Sequence, residues 1–326
     1  MGAALMSDLP LIVEIVAKAL VVLAAFLTLP LAVGQAEHKV MAHMQGRLGP
    51  MEAGFHGIGQ LVADGIKFAQ KEDITPAAAD RPIFRLAPAV ALIPYLVALA
   101  VIPLSAVWVA ADVPASLLVV LAVTSVGALG TLMAGWGSGN KYSLIGGMRA
   151  AAQLISYELP LVLASASIAM AAGSLSLVGI SAAWSPWWLI WQLPGACVFV
   201  IASVAELQRT PFDAPIADAE IVFGPYTEYS GLRFAFFLLA EYAGIVVMSL
   251  LFAVLFLGGS AGPFEDTLGP LWTILKAACM ALLIIWLRVA WPRVREDQLQ
   301  KLAWTVLLPV ALVQLAITGV GVVMTA

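Results

Sequence analysis

Eight apolar stretches, each about as long as a lipid bilayer is thick, constrain the fold of this sequence more than any other feature. A helix needs roughly 20 residues to cross about 30 Å of hydrocarbon, and inside lipid it satisfies its own backbone hydrogen bonds. We therefore predict an all-α fold, a polytopic membrane bundle of eight transmembrane helices. The predicted spans are approximately 9–32, 86–109, 115–135, 154–172, 184–205, 233–257, 271–290 and 302–324.

The composition agrees with a protein that lies mostly within a membrane. Of the 326 residues, 62% are hydrophobic and only 11% are charged, which is outside the range of soluble globular proteins. The short connections between spans predict one transmembrane domain over residues 1–326, with internal loops at about 34–85, 136–153, 206–232 and 291–301. No small-residue cleavage site follows the first apolar stretch, so we expect a retained helix and not a signal peptide.

The positions of lysine and arginine predict the orientation of the chain. Apart from Lys18 and Lys276, which lie within spans, the basic residues fall in or beside the connections after spans one, three, five and seven. The other connections and the N-terminus carry only acids. Because basic connections stay on the cytoplasmic side, we predict a multi-pass protein of the cell inner (cytoplasmic) membrane with both termini outside. Glu14 lies four residues before Lys18 and is its natural ion-pair partner.

The stretch from Glu206 to Glu241 is the leading candidate for a functional site. It contains six acids against only two bases, Arg209 and Arg233, and its first and last acids lie inside the flanking apolar runs. Acids this dense are too costly to face lipid, so they must face water, a protein-lined cavity or one another. The alternative is a solvated loop between two helices. The six acids are Glu206, Asp213, Asp218, Glu220, Glu228 and Glu241.

The aromatic residues of this loop lead to a further expectation. Left alone, the loop from Arg209 to Tyr229 would expose Phe212, Phe223 and Tyr226 beside unpaired acids. We therefore expect a partner subunit to bury it.

Motifs for cofactor chemistry are missing from the sequence. Cys197 and Cys279 fall singly inside apolar runs, which excludes a C-x-x-C ligand pair. The three histidines have no acid–histidine spacing that specifies a metal, and no G-x-G-x-x-G or phosphate-binding loop is found. We expect no metal, no nucleotide site and no nucleic-acid partner.

The first long connection contains a segment with helical periodicity. Phe55, Ile58, Val62, Ile66 and Ala69 recur at helical spacing, with polar residues on a different face. The pattern predicts an amphipathic helix that lies on the membrane surface. A helix packed on a neighbouring subunit fits the same pattern equally well.

Six loop motifs together resemble the NuoH/ND1 family, the quinone-chamber membrane subunit of respiratory complex I (NADH-quinone oxidoreductase). They occur in the order found in the family and cover nearly the whole chain. They are EHKVMAHMQGRLGP, GQLVADGIKFAQKE, GNKYSLIGGMRAAAQLISYE, AELQRTPFD, EYSGLRFAFFLLAEYA and PRVREDQL.

The resemblance implies eight transmembrane helices and a tunnel that opens to lipid near the first and sixth spans. We expect its lining to include Ala25, Phe234, Phe236 and Phe237. Quinone would be the substrate, with no covalently bound cofactor and no redox centre in this chain. The implied partners are the 49-kDa-type and PSST-type peripheral subunits and small membrane subunits of the A/J/K type.

The resemblance also implies roles for individual residues. Glu158, Glu206 and Glu241 would form a relay that passes protons toward the antiporter-like subunits. The residues that would line the quinone chamber are Arg47, Arg209, Phe212, Asp213, Asp218, Glu220 and Glu228.

The sequence departs from the family pattern at a few positions, and the departures reduce the charge at the entrance and the acidity of the chamber. The family usually has arginine at His38, asparagine and arginine at Met51 and Glu52, and glutamate at Ile216 and Asp218.

Three alternatives stay open. One is a related subunit of a complex with another electron donor, or of a membrane-bound hydrogenase. Another is a secondary ion transporter, since acids within spans also mark ion pathways. The third is a structural anchor for a soluble arm, which leaves the buried glutamates unexplained.

Overall fold

The computed structural model describes residues 2–325, with the side chains of residues 2–11, 218–219 and 325 outside the described part. Helices are the only regular secondary structure in those residues. In chain order they are α1 (Gly2–Met44), α2 (Gln60–Gln70), α3 (Arg81–Val101), α4 (Ser116–Gly137), α5 (Lys141–Ala172), α6 (Leu177–Ala183), α7 (Trp188–Trp191), α8 (Leu193–Glu206), α9 (Asp218–Ile221), α10 (Gly231–Phe256), α11 (Glu265–Ala290), α12 (Glu296–Leu302) and α13 (Leu308–Thr325).

Seven of the described helical segments are long and apolar enough to cross a membrane. They are α1, α3, α4, α5, α10, α11 and the continuous segment from α12 to α13. The connections after α1, α4, α8 and α11 meet at one end of the bundle, and together with the helix ends beside them they hold most of the lysines and arginines. We call this the basic end. The predicted all-helical membrane bundle is confirmed.

The predicted fifth span differs from the structure. Instead of one helix over 184–205, the chain forms α7 and α8, with Pro186 before α7 and Pro194 in the first turn of α8. Proline lacks an amide hydrogen and breaks a helix interior, which explains the interruption. With 14 residues, α8 is about 21 Å long at 1.5 Å per residue, shorter than a typical hydrocarbon core.

A buried polar network holds this interrupted segment in place. Gln314 of α13 donates to the carbonyl of Trp191 at 3.0 Å and to Gln192 Oε1 at 2.9 Å. Gln192 in turn donates to Thr318 at 3.0 Å and accepts from Ser167 at 3.1 Å. These bonds satisfy polar groups that cannot reach water, so they attach the junction of α7 and α8 to α13 and α5.

Close contact between small residues builds the bundle interior. A Cβ atom added to Gly130 of α4 would lie 2.5 Å from the backbone nitrogen of Ala91 on α3, so the two backbones touch. Small residues allow this approach in membrane helices. α10 is the most enclosed span, whereas α1 lies at the edge of the bundle.

Both lysines predicted within spans have partners in the structure. Lys18 pairs with Glu14 at 2.8 Å, as the spacing predicted. Lys276 donates to the carbonyls of Leu257, Gly259 and Ala261 at 2.7, 2.8 and 2.7 Å. The ammonium group therefore caps the chain where α10 ends.

The predicted amphipathic helix forms α2, but it begins only at Gln60, so Phe55 and Ile58 of the predicted apolar face precede it. Phe55, Ile58, Val62 and Ile66 are all exposed, so this chain does not cover the apolar face. Phe68 on the same helix contacts Phe234 of α10, with ring centroids 5.7 Å apart. A membrane surface and a neighbouring subunit both fit the exposed face.

Candidate functional site

Four charged side chains form a buried ion cluster at the basic end. Arg209 Nη1 donates to Glu37 Oε2, and its Nη2 atom lies 2.8 Å from Glu241 Oε1. Arg288 Nη1 donates to the other oxygen of Glu37. The side chains of Glu37 and Arg209 are only 2% and 1% exposed. Two acids and two bases make the cluster neutral overall, which lowers the cost of burying its charges.

The cluster joins four separate parts of the chain. Glu37 comes from α1, Glu241 from α10 and Arg288 from α11, while Arg209 lies in the turn after α8. Gln153 of α5 fixes that turn, because its amide donates to the carbonyls of Ala205 at 2.6 Å and Phe212 at 2.7 Å.

Arg209 remains a cation in this buried position. Its guanidinium carbon lies 5.0 Å from the centre of the Tyr242 ring, a cation–π contact. Burial acts to lower the pKa of Arg209, but the Glu241 and Glu37 carboxylates raise the pKa above its ordinary value. The cluster is therefore organised around a permanent positive charge.

A small cavity lies next to the ion cluster and contains the second acid of the predicted relay. Its volume is about 40 Å³, and both Glu206 and Glu241 line it. Tyr95, Thr131 and Tyr226 add hydroxyl groups to the wall, and the last two lie 3.2 Å apart. A polar cavity of this size has room for water. Glu241 therefore contacts both the ion cluster and this cavity.

Glu158, the remaining acid of the predicted relay, lies on α5. Glu158 accepts a hydrogen bond from Ser125 of α4 at 2.6 Å. It is close enough to Glu206 for the two carboxylates to repel each other. Neither oxygen of Glu206 has a hydrogen-bond partner of regular geometry in the described part of the chain, although the Thr124 hydroxyl of α4 lies near them. The structure thus brings the three acids together in the order Glu158, Glu206, Glu241.

The structure does not bring the residues predicted to line a chamber together at one site. Phe212 is buried beside Tyr157, with ring centroids 5.7 Å apart, close to the ion cluster. Glu228 accepts from Asn140 at 2.6 Å. Arg47 is exposed and donates to neighbouring Gln45 at 2.9 Å, away from the ion cluster.

Asp213 and Glu220 pair with bases on the outer side of the turn. Asp213 lies 3.1 Å from Arg293, and Glu220 lies 2.6 Å from Arg149. The hydrogen bond from Arg149 holds the pKa of the exposed Glu220 carboxyl below its ordinary range. Glu220, Arg149 and Arg293 border an open polar cleft of about 550 Å³. The side chain of Asp218 lies outside the described part of the chain.

The loop from Arg209 to Tyr229 was expected to need a partner because it would expose its aromatic residues, and that reason is wrong. Phe212 is only 5% exposed within the chain itself. Tyr226 contacts Phe237 at 4.8 Å between ring centroids, and Phe223 contacts Phe234 at 5.8 Å. The chain covers its own aromatic residues, so burial by a partner stays an untested prediction.

An apolar groove of about 290 Å³ runs between α1, α10 and α11. Ala36 lines the groove and precedes Glu37, and Ile285 lines it one turn before Arg288. The groove therefore ends beside the ion cluster.

Its position between the first and sixth predicted spans agrees with the expected tunnel, but the residues expected to line that tunnel lie elsewhere. Phe237 borders the small cavity, Ala25 a second groove, and Phe234 packs on Phe68. Phe236 is 37% exposed and is not a lining residue of the groove.

Glu37 and Arg288 are the important residues that the sequence did not identify. The sequence marks Glu37 only as part of the motif EHKVMAHMQGRLGP, beside the departure at His38, and Arg288 only as one of the bases that predict orientation. A usable signal existed, because an arginine inside an apolar run needs an acid partner. No group of three or more histidine, cysteine or acidic residues within the described residues is placed to hold a metal.

Fold and site together define a class: a polytopic helical membrane protein whose bundle encloses a network of titratable side chains. The family model described as NADH dehydrogenase matches residues 17–319. The H subunit of the Geobacillus kaustophilus NADH-quinone oxidoreductase is 46% identical over 318 residues, which cover 96% of this chain and 95% of that protein. Its counterpart from Bacillus cytotoxicus is 49% identical over 288 residues, which cover 87% and 86%. The chain belongs to the NADH dehydrogenase family, and the resemblance and the kind of enzyme predicted from the sequence are confirmed.

Proposed function

We propose that this chain is the membrane subunit of a proton-pumping NADH-quinone oxidoreductase that forms the quinone-binding chamber and couples quinone reduction to proton translocation. Family membership supports the enzyme. One observation supports the coupling: Glu241 pairs with Arg209 in the ion cluster and also lines the cavity that contains Glu206. A change of charge near the cluster therefore reaches an acid that borders the cavity shared with Glu206.

The apolar groove and the ion cluster together fit an amphiphile such as a quinone. An isoprenoid tail favours the apolar lining between α1, α10 and α11, and its polar headgroup favours the cluster end. In this proposal the chain supplies walls and charge, while peripheral subunits of the 49-kDa and PSST types supply the remaining headgroup contacts and the electrons. Small membrane subunits of the A/J/K type complete the assembly. The chamber residues are Arg47, Arg209, Phe212, Asp213, Asp218, Glu220 and Glu228.

The coupling step uses the difference between the two acids bound to Arg209. Glu37 is 2% exposed and bridges two arginines, whereas Glu241 is 29% exposed and pairs only with Arg209 among the described groups. A negative charge that develops at the quinone competes with Glu241 for Arg209, and a carboxylate that loses its cation partner takes up a proton more readily. The proton then passes by way of Glu206 to Glu158.

The same proposal places the chain in the cell inner membrane as one transmembrane domain, with the basic end in the cytoplasm. The distribution of lysine and arginine supports this orientation.

Replacement of Glu241 by glutamine tests the coupling step. Glutamine keeps the shape and much of the hydrogen bonding but cannot titrate. The Glu241→Gln complex should assemble and lose quinone-reductase turnover and proton uptake together, because blocked coupling stalls the redox step. Both rates are measured in proteoliposomes and normalised to assembled enzyme. Wild-type values for both would remove Glu241 from the proton route.

Glu265→Gln is the matched control for this experiment. Glu265 lies at the opposite end of the bundle and accepts a hydrogen bond from Ser260 at 2.8 Å. This variant should leave both rates unchanged.

A further inference from the structure

Ser125 has one hydroxyl proton and two acceptors within hydrogen-bonding distance. Its Oγ atom lies 2.6 Å from Glu158 Oε1 and 2.9 Å from the carbonyl oxygen of Leu121, one turn earlier on α4. A hydroxyl group donates only one hydrogen bond at a time, although it accepts others. The two short contacts therefore cannot both be donations from Ser125.

The direction of these bonds depends on whether Glu158 carries a proton. When Glu158 is ionised, the Ser125 hydroxyl donates to the carboxylate. When Glu158 is neutral, its own O–H donates to Ser125 Oγ, and Ser125 turns its proton toward the Leu121 carbonyl. In both arrangements Ser125 and Glu158 Oε1 stay hydrogen bonded to each other, and the two arrangements differ only in the proton on Glu158 and the rotation of the hydroxyl.

We infer that Ser125 is a positioning residue for Glu158, a two-state hydroxyl that keeps this acid hydrogen bonded both with and without its proton. The acid lies within a membrane span, where water does not replace a lost partner. Glu206 of α8 is a titratable neighbour of the same acid. The bonding pattern stands on geometry alone, whereas its use in proton transfer rests on the proposed function.

Infrared difference spectra of the assembled complex test this inference. The carboxyl band of Glu158 is assigned by its loss in Glu158→Gln, and acid-minus-base spectra are compared for wild type and Ser125→Ala. Because a bond to the charged form is about twice as strong as a neutral one, the variant should lower the ratio of ionised to neutral Glu158 roughly three- to tenfold at fixed pH. The band position should shift as well.

Two further variants make the result specific. Ser165 of α5 donates to its own helix at 2.8 Å, to the Leu161 carbonyl, so Ser165→Ala removes the same kind of helix bond and should leave the band unchanged. Ser125→Cys keeps the size with a weak donor and should give a smaller change in the same direction. If Ser125→Ala does not assemble, the band of the Ser125→Cys variant tests the two-state hydroxyl by itself.

The outcomes separate this inference from the proposed function. An unchanged Glu158 band in both Ser125→Ala and Ser125→Cys overturns the two-state hydroxyl, whatever the turnover. A shifted band with reduced proton uptake supports both. A shifted band with full turnover and pumping supports the two-state hydroxyl and shows that proton transfer does not need it.

Discussion

At the scale of single residues, the energetics depend on whether each charge has a partner. Glu37 holds two arginines, so its loss leaves Arg209 and Arg288 without their shared partner. Removal of one member of a buried ion pair costs about 3–5 kcal/mol. We expect Glu37→Gln to lower the thermal stability and the assembly of the complex strongly, measured by unfolding of the purified enzyme.

An exposed pair provides the control for that variant. Asp297 lies 3.0 Å from Arg295, and both side chains are exposed. Asp297→Asn should change stability by about 1 kcal/mol or less, since surface pairs contribute little. Equal losses in the two variants would show that the ion cluster has no special role in stability.

The pair of Glu220 with Arg149 gives a prediction about acid pH. Because the hydrogen bond and charge of Arg149 lower the pKa of Glu220 in the folded state, the stabilisation is fully present above the ordinary value of 4.5. It is lost as the pH falls through the lowered folded-state pKa. We expect α9 to loosen at that acid pH, seen as reduced amide protection of Ile221 after correction for intrinsic exchange.

The variant Glu220→Gln separates this effect from general acid unfolding. It should show weaker protection of Ile221 that no longer changes over the same range. A wild-type pH dependence in the variant would mean that another group loosens α9.

At the scale of helices, the contact of α3 with α4 sets the spacing of the bundle. A methyl group at Gly130 would meet the backbone of Ala91, which moves only if the helices separate. We expect Gly130→Ala to destabilise the protein by about 1–3 kcal/mol through overpacking. The measurement is the unfolding midpoint in detergent.

Gly319 of α13 is the matched position for that test. A methyl group there would lie 3.5 Å from Met170 Sδ, an ordinary contact. Gly319→Ala should be neutral or slightly stabilising, because alanine favours a helix over glycine. The packing explanation fails if both alanine variants behave alike.

The helices also show which parts of the fold were readable from the sequence. Long apolar runs predicted the seven long spans, because the length of an apolar run can be read from local sequence alone. Pro186 and Pro194 are a local signal for the division of the fifth span, but the bond from Gln314 that holds Gln192, 122 positions away, is not readable from local sequence. Glu206 and Glu241 were visible as acids in apolar runs. The pairing of Glu37 with Arg288 was not, because it exists only once α1 and α11 are packed.

At the scale of the whole molecule, charge asymmetry predicts the orientation in the membrane. A green fluorescent protein fused to the C-terminus should stay dark, and alkaline phosphatase fused there should be active, because basic connections stay in the cytoplasm. The same reporters fused after Gln70, behind α2, should give the opposite pattern. Fluorescence at the C-terminus would reverse the proposed orientation and place the ion cluster on the outer side.

The burial of the ion cluster has a consequence for how the protein responds to salt. Mobile ions screen charges over about 8 Å at physiological ionic strength, but only where solvent reaches them. The exposed pair Arg295–Asp297 therefore weakens as the salt concentration rises. Arg209 and Glu37 are shielded from those ions by the helices around them. The attraction that joins α1 to the turn after α8 thus stays nearly constant while the ionic strength of the cytoplasm changes.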